Sequence, residues 1–265
     1  MKGRNIIAYL ACKYKGNWED IYSAIKRKEP LNEKIVEQTI KNIKSNFVTI
    51  IDDDYPVCFK NIYQPPFCIF YYGDISIANN NVKRLGVIGS RDMSDYGKRC
   101  IDKLLSGLDK SMTIVSGLAK GIDARAHELS LMHDTKTIAV LGSGIDRCYP
   151  VENIELYEEI KTHHLLLSEY PSFESPAHEH FPMRNRLLAA LSDALLVVEA
   201  KSRSGSIITA NHAIQQGKDV MCPPYHLDED SSCNKLIKEG AFLVENFNDV
   251  ADIVFTKGQT NNNVC

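Results

Sequence analysis

The chain has 265 residues, a formal net charge of −3, and 44% hydrophobic and 25% charged residues. It is long enough to bury one large domain plus a small one, but it is not a bulk polyanion binder, so any nucleic-acid site must come from local clustering of Lys and Arg. The eight cysteines lack zinc-knuckle or redox-pair spacing, no apolar run approaches the ~20 residues of a membrane span, and no signal peptide opens the chain, so a cytoplasmic protein with no membrane, metal or cofactor partner is expected.

Residues 1–45 read as a small helical region. IIAYLACKY, WEDIYSAIKRK and NEKIVEQTIKNIK place apolar residues at helical spacing, and Pro30 separates the last two. Residues 46–84 change character. β-Branched and aromatic runs are broken by Tyr55-Pro56 and Pro65-Pro66, and a proline pair forces extended backbone around it. This stretch reads as an ordered connector that ends in a strand, CIFYYG, followed by a surface loop through Asn79, Asn80 and Asn81.

From residue 85 to 256 the pattern becomes regular. LGVIGS, MTIVSG, KTIAVLGS, LLLSEY, ALLVVEA, DVMCPP and AFLVEN read as strands. Between them lie helical stretches, the first capped by Ser94 or Asp95. Alternating apolar strands and helices predict an α/β fold with a mostly parallel, doubly wound sheet of about seven strands, an extended Rossmann-like domain. Residues 257–265 are polar and read as a flexible tail.

In such sheets ligands bind beyond the carboxyl ends of the strands. Here those ends are Gly89-Ser90-Arg91, the stretch from Ser116 to Asp123, Gly142-Ser143-Gly144, and Lys201 to Ser206. Glycine and serine let backbone N–H groups approach a ligand and donate to it. Arg91, Lys120, Arg184, Arg186, Lys201 and Arg203 fall on or beside these loops, so positive charge gathers at one edge of an acidic protein. Pro182 suits a first helical turn, which puts Arg184 and Arg186 near the positive end of a helix dipole. Cations there are disfavoured by roughly 0.3–1 kcal/mol each unless an anion sits on them. The pattern points to a phosphate-rich ligand.

Other residues have plainer readings. Asp123 reads as a helix cap, His127 as a packed histidine, and Glu199 as the partner that orients Arg184 or Arg186. Phe181 fits either a core position or a base-stacking platform. There is no Gly-x-Gly-x-x-Gly after the first strand and no Walker lysine pattern.

Together these residues resemble the DNA-processing protein A family (DprA, also called Smf). The likeness spans about residues 50–250. It rests on Tyr55-Pro56, Pro65-Pro66 and Gly73; Gly89-Ser90-Arg91; SGLAKGIDARAH (116–127); AVLGSGIDRCYP (139–150); FPMRNRLLAALSDALLVVEA (181–200); and SGSIITA (204–210). The resemblance implies a homodimer that binds single-stranded DNA, protects incoming strands during natural transformation, and helps load the recombinase RecA, without being an enzyme. It implies a DNA pocket at Arg91, Ser116, Gly117, Phe181, Arg184, Asn185, Arg186, Gly205 and Ser206, to which charge and position add Lys120 and Lys201. Two departures stand out: Pro223-Pro224 replaces the usual Pro-Gly, and the end at Cys265 leaves no room for the winged-helix domain of many relatives, so duplex binding through it is not expected.

The expected mode is sequence-tolerant, with Arg91, Arg184, Arg186 and Lys201 on phosphates and Phe181 on a base, giving a salt slope of roughly −2 to −4 per protomer. The alternative is an enzyme like the nucleotide-5′-phosphate phosphoribohydrolases. Against it, Thr209 stands where that family's loop carries glutamate, and no carboxylate lies from Ser202 to Gln216.

Overall fold

A computed structural model describes residues 2–172, 174–202, 204–227, 229 and 231–256. The tail expectation, residues 257–265, lies outside the described residues. Three helices open the chain: α1 (Gly3–Lys13), α2 (Trp18–Lys26) and α3 (Glu33–Asn42). The side chains of Asn17 and Asn32 cap the second and third by accepting from backbone amides of the first turn. The stretch read as a connector contributes β1 (Asn46–Thr49) and β2 (Cys68–Gly73). Its proline pair serves as an acceptor site: Tyr55 Oη donates to Pro66 O at 2.6 Å and Trp18 Nε1 to Pro65 O at 2.8 Å.

The regular region then runs β3 (Lys83–Ile88), α4 (Asp95–Leu104), β4 (Met112–Ser116), α5 (Ile122–Met132), β5 (Thr137–Leu141), α6 (Ile154–His163), β6 (Leu165–Ser168), α7 (His180–Leu191), β7 (Ala194–Val197), α8 (Gly205–Gln215), β8 (Asp219–Cys222), α9 (Ser232–Lys238), β9 (Phe242–Leu243) and α10 (Phe247–Thr256). Among the described residues nine strands form one sheet in the order β1-β2-β6-β5-β4-β3-β7-β8-β9. From β6 to β9 every pairing is parallel, while β2 runs antiparallel to β6 and β1 antiparallel to β2. The α/β, mostly parallel Rossmann-like architecture is therefore as the alternating pattern predicts. The sheet exceeds seven strands because the proline-rich stretch adds β1 and β2 as an antiparallel edge.

Both faces are covered, as the period of two along a strand requires. On β3 and β7, Leu85, Val87, Ala194 and Leu196 pack with α4, α5 and α10, whereas Ile88, Leu195 and Val197 pack with α7 and α8. The N-terminal helices share a third core cluster with α6 and β2, through Leu10, Ile21, Phe70 and Tyr157. The feature that positions a site is the reversal of strand order. The chain builds β3, β4, β5 and β6 outward, then returns to lay β7 on the other side of β3. The loops leaving β3 and β7 diverge there and open a crevice.

Candidate nucleic-acid interface

Three loops of the crevice, those after β3, β4 and β7, hold one another. Gly121 has a φ of +74°, and a Cβ there would lie 2.3 Å from Ser90 O, so only glycine makes this turn into α5. The next amide, Ile122 N–H, donates to Ser90 O at 3.1 Å. Ser206 Oγ reaches back from α8 to Gly89 O at 3.0 Å. Ser94 caps α4 by accepting from Gly97 N–H, and its own N–H donates to Glu199 Oε2 at 3.0 Å. Glu199 thus braces the loop after β3. The expectation that it orients Arg184 or Arg186 is corrected: the end of β7 lies beside the start of α4, and the carboxylate takes the nearer amide.

The resulting cleft has a volume of about 450 Å³ and is lined by Arg91, Asp123, Phe181, Arg184, Asn185, Lys201, Gly205, Ser206 and Thr209, among others. Two side spaces of about 290 and 70 Å³ adjoin it, and Arg91 and Phe181 line all three.

Arg184 forms the floor. Its Nη1 donates to Gly117 O at 2.7 Å and Val140 O at 2.6 Å, and its Nε donates to Asn185 Oδ1 at 3.0 Å. Asn185 in turn donates to Gly205 O at 3.3 Å, tying the floor to α8. The guanidinium lies flat over Gly117, where a Cβ would come 2.1 Å from Nη1. Every hydrogen-bond acceptor around Arg184 is neutral, and among the described residues no carboxylate forms an ion pair with it. Burial pushes this guanidinium below the usual arginine range, and the nearby Asp123 pulls it back up. Asp123 is itself pushed up by burial; Arg184 and the Gly117 and Ala119 amides that donate to it oppose the shift. Asp123 therefore holds the loop before α5 and does not cap the helix, whose cap is Gly121. A buried cation without a hydrogen-bonded counter-ion is costly, and an anion in the cleft would relieve it.

The rim supplies more positive potential. Arg91 is exposed, makes no ion pair among the described residues, and lies over the Phe181 ring at 5.1 Å. Lys201 is exposed and lines the same cleft. The N-terminus of α8 opens on the same space; among the described residues Ser204 Oγ has no hydrogen-bond partner and nothing lies within 4 Å of the Cβ position of Gly205. That end of the helix suits a phosphate. Phe181 is half-buried on the wall, seated against Gly142, where a Cβ would lie 2.8 Å from its Cδ1.

Three expected residues stand elsewhere. Arg186 is 3% exposed and makes a bidentate pair with Glu169 at 2.9 and 2.8 Å. It also donates to Gln64 O and Met183 O. Its assignment to phosphate is corrected: two residues on from Arg184 is about 200° round a helix, so both cannot face one cleft. Ser116 is fully buried and donates to Val87 O at 2.6 Å, which makes it a strand brace. Lys120 lines only the smallest side space and is ion-paired with Glu152. Arg203 lies outside the described residues. His127 is packed, with Nδ1 2.7 Å from Thr137 Oγ1, and burial lowers it to about 3. Sequence reasoning missed Tyr149, which is 45% exposed with its ring 5.9 Å from that of Phe181. An aromatic in the quoted YP pair was the available signal.

Residues 46–255 match the family described as DNA recombination-mediator protein A. The chain is 43% identical to the DNA processing protein DprA of Streptococcus pneumoniae over 204 residues, 76% of this chain and 72% of that protein. It is 38% identical to DprA of Bacillus subtilis over 208 residues, 77% of this chain and 70% of that one. The solved structure of the Streptococcus pneumoniae protein superimposes with a TM-score of 0.76 at 36% identity, covering 93% of this chain and 92% of that chain. DprA from Helicobacter pylori, solved to describe its single-stranded DNA binding mode, gives 0.70 at 28% identity, covering 81% and 98%.

Proposed function

This chain belongs to the DNA recombination-mediator protein A family, and on that premise we propose that its cleft holds single-stranded DNA without regard to sequence. The observation that carries the reading is Arg184, a buried cation that among the described residues is hydrogen-bonded only to neutral groups, at the floor of an open cleft. A backbone phosphate completes it. Arg91 and Lys201 take neighbouring phosphates at the rim, the α8 N-terminus adds backbone donors, and the aromatic wall meets a base. A duplex, whose bases are paired and stacked inward, cannot offer one to that wall. The single-stranded DNA mode described for the Helicobacter pylori relative supports the reading.

Around this core we place the family's wider role: protection of incoming strands in natural transformation and recombination, delivery to RecA, and a cytoplasmic homodimer. Family likeness supports these. Among the described residues no helix is long and apolar enough to cross a membrane.

Fluorescence anisotropy of labelled oligomers across a salt series tests the binding. With three cations on phosphates, the log–log slope for single strands is about −2 per protomer, at about 0.7 per phosphate. Arg184→Ala should weaken single strands sharply and lower the slope. Equal, salt-insensitive affinity for single and double strands would refute the proposal. One observation favours the hydrolytic alternative: Asp123 is a carboxyl pushed up by burial at the cleft. Its bonds to loop amides and the Thr209 hydroxyl donating to Gly205 O make both structural instead. Release of free base from AMP or CMP would reverse that assignment.

A further inference from the structure

We propose that Tyr149 is the open base-stacking surface of this interface, with Phe181 as its support; this rests on the single-strand reading above. Phe181 already has three close neighbours. The Arg91 guanidinium carbon sits 5.1 Å from its ring centroid, the Tyr149 ring is 5.9 Å away at an interplanar angle of 42°, and Gly142 backs its edge. A base stacked between two flat groups needs them about 6.8 Å apart, twice the ~3.4 Å spacing of stacked bases. As Arg91 and Tyr149 sit, neither gap is wide enough. Arg91, Phe181 and Tyr149 form one stepped wall, and a base that leaves these groups in place adds to its open end.

That end is Tyr149. The residue is 45% exposed and lines both side spaces that adjoin the phosphate floor. Its ring is not needed to fill the core under the loop, because Ile145 and Pro150 are the buried residues there. Its hydroxyl makes no hydrogen bond among the described residues, so it holds nothing in place.

The loop that carries it is nonetheless fixed. Asn153 Nδ2 donates to Leu118 O at 2.9 Å, Ser143 Oγ to Arg147 O at 2.8 Å, Gly144 N–H to Glu174 O at 2.8 Å, and Arg147 N–H to Gly144 O at 2.8 Å. A ring already held in position loses little freedom when a base lands on it, which favours binding. The geometry sets a path: a phosphate over Arg184 and the α8 N-terminus, then the next base turned out past Arg91 onto Tyr149. Stacking reads the π-face every base has, so the contact adds affinity without sequence preference.

The test pairs two probes of equal length, a labelled oligothymidylate and an oligomer of abasic deoxyribose phosphates, with wild type, Tyr149→Phe, Tyr149→Leu and Tyr149→Ala. Tyr149→Leu refills the volume without a π-face, and thermal melts check that each variant is folded. Tyr149→Ala and Tyr149→Leu should weaken oligothymidylate by roughly 5- to 150-fold, the effect of about 1–3 kcal/mol per stacked base. Both should bind the abasic probe within twofold of wild type with an unchanged salt slope, and Tyr149→Phe should match wild type on both probes. Equal loss on both probes would mean that Tyr149 acts through its loop, and no loss on either would mean no contact; each result overturns the assignment while the single-strand reading stands. Failure of the wild type to bind either probe overturns the single-strand reading and this one with it.

Discussion

Replacing Arg186 separates a structural arginine from a ligand-binding one. Arg186→Met keeps most of the side-chain volume but removes both bonds to Glu169, together with those to Gln64 O and Met183 O. The pair is almost fully buried, at 3% and 6% exposure, so Glu169 would be left charged and alone. Breaking a buried pair from one side costs about 3–5 kcal/mol. At about 2–4 °C per kcal/mol for a domain near this size, the melting temperature should fall by ~6–20 °C. Glu169 is already pushed up by burial and is pulled down by Arg186. Without the arginine its carboxyl rises further. A carboxyl raised in the folded state takes up a proton that the unfolded chain does not, so stability falls as pH rises, and the variant's deficit should be smaller near pH 5 than near pH 8. Adding Glu169→Leu should recover much of the loss, since a buried ion pair is often matched by apolar residues. Thermal melts read the stability, and anisotropy at a temperature where the variant is folded reads the function. DNA affinity and salt slope should stay at wild-type values. A variant that melts like wild type but loses about 0.7 from the slope would refute the reasoning and return Arg186 to the phosphate ligands.

Gly117→Ala would place a Cβ 2.1 Å from Arg184 Nη1 and 2.5 Å from Cζ, so the guanidinium must leave its seat. The expected result is weaker single-strand binding with the slope reduced from about −2 to about −1.4, read by the same salt series; wild-type affinity would show that Arg184 is not the floor. His127 gives a pH signature. Burial lowers it to about 3 from 6.5, so below pH 6.5 the unfolded chain binds a proton that the folded chain refuses. Its contribution is complete above pH 6.5 and is lost as pH falls toward 3, amounting to about 2 kcal/mol by pH 5 at ~1.36 kcal/mol per pH unit. Urea unfolding of wild type and His127→Gln at pH 8 and pH 5 should show the wild type losing about that much more between the two pH values; parallel profiles would contradict the burial argument.

The β/α alternation from residue 85 onward was legible in the sequence because it is local. Apolar runs such as TIAVL read as buried strands because they are short and rich in β-branched residues, and glycines follow them where loops turn back. The rule that ligands gather at strand carboxyl ends grouped Arg91, Arg184, Lys201 and the α8 start at one edge without coordinates, and these groups line one cleft. Partner choice was not legible. Glu169 meets Arg186 and Glu199 meets the Ser94 amide because of which strand ends and helix starts become neighbours, and that follows from β7 returning beside β3. Ser116 sits in a recognisable loop motif, yet its hydroxyl turns inward to Val87, since strand phase decides which side a residue faces. Tyr149 and Phe181 are 32 positions apart and meet only because the loop after β5 folds over the start of α7. Backbone periodicity is carried by neighbouring residues and survives in one dimension. The pairing of buried charges and exposed rings depends on the order of strands across the sheet, which exists only once the chain is folded.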